Sequence, residues 1–136
     1  MELIKVKRSG QLPLTFEGEL IREENGWQWY GKEQSRYHVV SLYRTNKSKQ
    51  YILHIRFVTR WRGEPALEEA HLLGPEKGAM IEFFRNYDPV PRDVGYPHGD
   101  HYEEKQGRLE RDIRNRFAAL VAELLEDVEG AEERIE

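Results

Sequence analysis

Residues 36–60 read RYHVVSLYRTNKSKQYILHIRFVTR, and the alternation in this stretch decides the fold. Two runs rich in Val, Ile, Tyr and Leu flank a polar segment around Asn46-Lys47, the pattern of an antiparallel hairpin. With the turn centred there, Leu42 faces Tyr51 and Val40 faces Leu53. His38, Val40, Leu42, Tyr51, Leu53, Ile55 and Phe57 then share the expected core face. Tyr37, Val39, Ser41, Tyr43, Ile52, His54, Arg56, Val58 and Arg60 share the other, which mixes apolar, aromatic and basic side chains.

Upstream, Leu14 to Arg22 reads as a strand. Leu14, Phe16 and Leu20 lie on one side, and Thr15, Glu17, Glu19 and Ile21 on the other. Gly18 marks a bend or bulge in it. Residues 3–7 form a short edge strand guarded by Lys5 and Lys7. Asn25-Gly26 followed by Trp27, Trp29 and Tyr30 predicts a loop or tight hairpin. These rings either plug one end of the sheet or present a recognition patch.

Downstream, Leu67 to Leu73 is a shorter strand, and Gly74-Pro75-Glu76 opens a helix near 75–86. Three prolines and two glycines between Tyr87 and Gly99 forbid regular structure there, and ordered loops of this length are often functional. Leu109, Ile113, Phe117, Leu120, Val121, Leu124 and Val128 recur at helical spacing and form one apolar stripe. Asp100 with Glu103 resembles a capping box that starts this helix near His101, and Gly130 supplies its stop. The expectation is one α+β domain over residues 1–136. An antiparallel sheet of about four or five strands is covered on one face by the long C-terminal amphipathic helix and the helix near 75–86. Residues 130–136 are an acidic tail.

The chain has no cysteine, which removes disulfides, thiolate zinc sites and cysteine nucleophiles and fits a reducing compartment. It shows neither a secretory leader nor an apolar run of membrane length, so a cytoplasmic location is expected. The net charge of −4 hides two poles. Residues 36–62 hold seven cations and no acid, so the remainder carries −11. Between 123 and 136, seven acids face only Arg134.

Four constellations can carry chemistry. In the basic hairpin, Arg44, Lys47, Lys49, Arg56, Arg60 and Arg62 can displace phosphate counterions, and Trp61 or Tyr43 can stack on a base. The same charges also suit an acidic protein surface, or a homodimer joining the hairpin of one copy to the acidic C-terminal helix of another. Their blander reading is a solvated strand face. His98, Asp100 and His101 are metal-ligand types in one short loop, although their spacing matches no established signature. On the mixed sheet face, Glu17 and Glu19 beside His54 and Arg56 would suit acid–base work in a small-ligand or metal-dependent enzyme. Trp27 to Tyr30 is the fourth.

Phosphate-loop, nucleophile-elbow and His-Glu-x-x-His motifs are absent, and no motif calls for a cofactor. The reading favoured by these residues is a non-enzymatic binding module using the hairpin 36–62, with nucleic acid as its sharpest partner.

Overall fold

The computed structural model describes residues 2–126. The strands are β1 (Glu2–Arg8), β2 (Gln11–Asn25), β3 (Gln28–Trp29), β4 (Lys32–Glu33), β5 (Arg36–Thr45), β6 (Tyr51–Thr59) and β7 (Leu67–Gly74). The helices are α1 (Gly78–Asn86) and α2 (Tyr102–Leu125). Five strands form one antiparallel sheet in the order β1-β2-β5-β6-β7, and β3-β4 is a separate tight hairpin. The α+β architecture with a long covering helix is therefore as expected. Among the described residues no helix is long and apolar enough to cross a membrane. The acidic tail 130–136, the stop at Gly130 and the stripe residue Val128 lie outside the described residues.

The two faces of the β5–β6 hairpin are as the alternation predicts, but its register is two residues longer. Leu42 pairs with Leu53 and Val40 with Ile55. The turn is wider because Thr45 and Gln50 close it. Thr45 N donates to Gln50 O at 2.9 Å, Gln50 N donates to Thr45 Oγ1 at 2.9 Å, and Lys49 takes a left-handed φ of 56°. A slip of two keeps every side chain on its face, so the core set survives the correction.

On the helix-covered face, Val40, Leu42, Tyr51, Leu53 and Ile55 meet Met80 of α1 and Phe117 and Leu124 of α2. A second cluster joins Phe57, Leu109 and Ile113 to Val94 of the loop after α1. That loop is therefore a lid on the core. Gln106 ties it down by donating to Val94 O and accepting from Tyr96 N, both at 3.0 Å.

One helix start and one cap differ from expectation. Helix α1 begins at Gly78, after Gly74 has ended β7 at a φ of 77°. Helix α2 begins at Tyr102 from a left-handed His101, without a side-chain cap from Asp100, and runs unbroken through Gly107.

The opposite face is also buried, because the sheet curls until β1 reaches β7. Ser9 N donates to Glu68 O and Glu68 N to Ser9 Oγ, each at 2.8 Å. Val39, Ser41, Ile52 and His54 are consequently enclosed, although the mixed composition suggests a solvated surface. A β-bulge at Ile21 helps β2 to bend. Leu20 pairs with Tyr43 and Arg22 with Leu42, leaving Ile21 extra. Gly18 permits the close approach of β2 to β5: a Cβ there would overlap the Arg44 carbonyl oxygen.

Gly18→Ala is expected to cost about 1–3 kcal/mol in urea unfolding, since the obstructing atom is backbone and cannot rotate away. A second expectation concerns acid. Burial lowers His38 to about 4, against the partial restoring effects of a hydrogen bond to Pro89 and the Glu69 charge. A depressed histidine favours its neutral form in the fold. Stability is thus complete above the ordinary value of 6.5 and declines as pH falls from there toward 4. Burial also lowers His54, with the same sign. Urea titrations at pH 7 and pH 5 should show this loss, and His38→Leu should reduce but not abolish it.

Candidate anion-binding cleft

The basic hairpin is not one surface. Its strands run nine steps from Arg36 to Thr45, roughly 30 Å at ~3.3 Å per residue, so its charges divide between tip and base. At the tip, Lys47 and Lys49 are exposed, and Arg44 lies 5.0 Å over the Tyr51 ring. Arg56 belongs to neither group. It turns onto the curled face, where Nη2 lies 3.6 Å from Glu23 and Nε is buried without a hydrogen-bond partner.

The base is organised around Arg36, which is 8% exposed. Glu64, from the β6–β7 connection, neutralises it through a forked contact. Nε donates to Oε1 at 2.8 Å and Nη2 to Oε2 at 2.5 Å. Thr59 Oγ1 also donates to Glu64, at 2.8 Å. Burial would raise the Glu64 carboxyl, but the hydrogen bonds from Arg36 and Thr59 outweigh it and hold the group below its ordinary value. The guanidinium carbon of Arg36 sits 4.8 Å from the Trp61 ring centroid and 5.9 Å from that of Tyr96. Trp61 is pinned by an Nε1 hydrogen bond to Ser35 Oγ at 2.8 Å, yet it remains 50% exposed.

A cleft of about 240 Å³ opens beside this assembly. Trp61 and Tyr96 form aromatic walls, and Lys105, Arg108 and Arg116 approach from α2. The helix positions them by spacing: 105, 108, 112 and 116 fall on one side at three- and four-residue steps. Arg116 is held by Gln34 Oε1 at 2.5 Å and by Asp112 at 3.8 Å. Arg60, Arg62, Lys105 and Arg108 are exposed and have no ion-pair partner among the described residues. Such an arrangement can hold an anion beside a flat ring.

Of the residues expected to bind a partner, the structure brings Arg60, Trp61 and Arg62 to the base and sends Arg44, Lys47 and Lys49 to the far end. The contribution of α2 and of Tyr96 was not legible in the hairpin itself. A signal did exist in the helical spacing of Lys105, Arg108 and Arg116.

Two of the other three constellations rearrange. The bulge at Ile21 changes which acids join the curled face. Glu23 pairs across from Ser41, whereas Glu19 pairs with Arg44 and lies on the opposite face. Glu17 and Glu19 therefore do not meet His54, and Glu23 and Glu68 take that place. Ser41 Oγ donates to Glu23 at 2.7 Å, and His54 Nε2 lies 3.1 Å from Lys7 O and 3.7 Å from Glu68. Ser41 is 1% exposed, so the cluster offers no accessible hydroxyl nucleophile. Near the start of α2, His98 packs edge-on against Tyr102 at 4.0 Å, and His101 lies 3.8 Å from Glu104. Among the described residues no three His, Asp or Glu side chains gather in a metal-binding arrangement, so His98, Asp100 and His101 do not converge.

No protein-family model matches the chain, and no curated protein or solved structure matches it.

Removing the Glu64 carboxylate would leave Arg36 charged and buried. Glu64→Gln should therefore cost about 3 kcal/mol or more in urea unfolding at neutral pH. The wild-type pair weakens only in acid: a depressed carboxyl contributes its stability above the ordinary value of 4.5 and loses it as pH falls through the folded value. The penalty of Glu64→Gln should accordingly shrink between pH 7 and pH 3.

Proposed function

We propose that this chain is a non-enzymatic binding module that takes single-stranded nucleic acid in the cleft between the hairpin base and α2. One observation carries the reading. Exposed, unpaired cations flank two accessible aromatic rings, while the one buried cation there is already neutralised by Glu64. Cations track a phosphate backbone, and rings stack on bases without regard to sequence. At about 240 Å³ the cleft is below the roughly 300–1,000 Å³ of drug-sized sites, which suits one base with its phosphates on the rim. Single strands fit this better than duplex, whose bases are already stacked. The net charge of −4 averages over the whole chain and does not oppose the reading, and the acid that lines the cleft, Asp112, lies 3.8 Å from Arg116.

The test is fluorescence anisotropy of labelled single-stranded and duplex oligonucleotides over a range of salt. Trp61→Ala should weaken single-strand binding by about 1–3 kcal/mol, roughly 5- to 100-fold. Lys105→Ala with Arg108→Ala should flatten the salt dependence, its slope falling by about 0.7 for each phosphate left without a cation. Lys47→Ala with Lys49→Ala, at the tip, should change little. Absence of binding at low salt would retire the proposal. Equal losses from tip and base variants would replace the cleft with general charge attraction.

A further inference from the structure

A second cavity, of about 270 Å³, lies on the helix-covered face under the loop that follows α1. Pro89, Val90 and Pro91 roof it, and its floor is sheet: His38 of β5, Phe57 of β6 and Glu69 of β7. Tyr87, at the end of α1, closes one side. The lining rings are packed on one another and on Phe117 behind them. His38 packs against Phe57 at 5.1 Å and against Phe117 at 4.9 Å, and Tyr87 meets Phe117 at 5.5 Å.

Glu69 is the only ionisable carboxylate of the lining without a cationic Lys or Arg partner among the described residues. The other acid, Asp88, is paired with Arg114 at 3.2 Å. One oxygen of Glu69 accepts from the Tyr87 hydroxyl, and the other lies 3.2 Å from His71 Nε2. The His71 hydrogen bond, opposed by burial and aided by the Tyr87 hydroxyl, keeps Glu69 below the ordinary carboxylate value. His38 is uncharged at neutral pH because burial lowers it to about 4. The Glu69 side chain is 43% exposed, so the charged end of the cavity is open to solvent.

We propose that this cavity is a binding site for a small organic ammonium ion, held by the Glu69 carboxylate among the rings of His38, Phe57 and Tyr87 that line it. A cation is drawn to aromatic rings as well as to a carboxylate, and the lining supplies both. An anion would be repelled by the Glu69 charge, and a neutral guest would gain the apolar walls but no charge attraction. At about 270 Å³ the cavity limits the guest to a small ion. The site is separate from the cleft at Trp61 and Tyr96, and stands or falls independently of nucleic-acid binding.

The probe is tetramethylammonium chloride, added to the full chain and followed by amide chemical-shift perturbation. Matched sodium chloride and tert-butanol are the controls. Saturable shifts centred on Phe57, Glu69, Tyr87 and Val90 are expected with the ammonium ion alone. Glu69→Gln should weaken its binding about tenfold or more, as expected when a charged partner is replaced by a neutral one. Should that variant not fold, Val90→Phe fills the cavity from its roof without touching the carboxylate and should also abolish binding. Equal shifts with tert-butanol would overturn the proposal. So would undiminished binding in the folded variants, or the absence of a saturable response.

Discussion

A hairpin that is apolar on both faces has to be covered twice, and most of this structure is the consequence. Strands β5 and β6 bury Val40, Leu42, Leu53 and Ile55 on one side and Val39, Ser41 and Ile52 on the other. An antiparallel sheet commonly leaves one face to water. Here α1, α2 and the loop carrying Val94 cover the first face, and the second is closed by curling β1 and β2 toward β7. The curl needs local devices, namely the bulge at Ile21 and the side-chain-free approach at Gly18. It also sets the position of polar groups, because His54 can then satisfy Lys7 O across the gap.

The same covering sorts the charges. Seven cations in the hairpin segment are one block in sequence but serve different ends in space. Arg36 is buried and spent on Glu64, while Arg56 turns inward toward Glu23. The tip and base groups are separated by the length of a strand. What remains at the base becomes a cleft only because α2 crosses there and contributes cations along its polar side. The aromatic rings gain their orientation from this packing: Trp61, in the β6–β7 connection, rests on the paired Arg36 guanidinium and donates to the Ser35 hydroxyl.

Legibility followed the range of the interaction. The stripe Leu109, Ile113, Phe117 and Leu124 could be read because helical periodicity is local, and all four residues are buried. The core face of the hairpin could be read for the same reason, although its register could not: alternation has a period of two and is blind to a slip of two. Glu17 and Glu19 were misplaced because Leu20 pairs with Tyr43 on the curled face, which puts Glu19, paired with Arg44, on the other side. Asp100 failed as a cap because backbone geometry at His101, not residue type, starts the helix. The cleft was half visible, as Arg60-Trp61-Arg62, and Glu64, Tyr96 and Lys105 joined it only through folding.

The amino-acid sequence by itself determined that strands would precede and meet a long amphipathic helix, which side chains of that helix and hairpin would be apolar, and that positive charge would concentrate between residues 36 and 62. These are properties of periodicity and composition, carried by neighbouring residues. Tertiary structure alone decided the curl, the partners of the buried charges, and the two cavities. Each depends on residues far apart in the chain: Arg36 with Glu64, Trp61 with Arg108, and Glu69 with Tyr87. Their separation is fixed by packing, which no local pattern encodes.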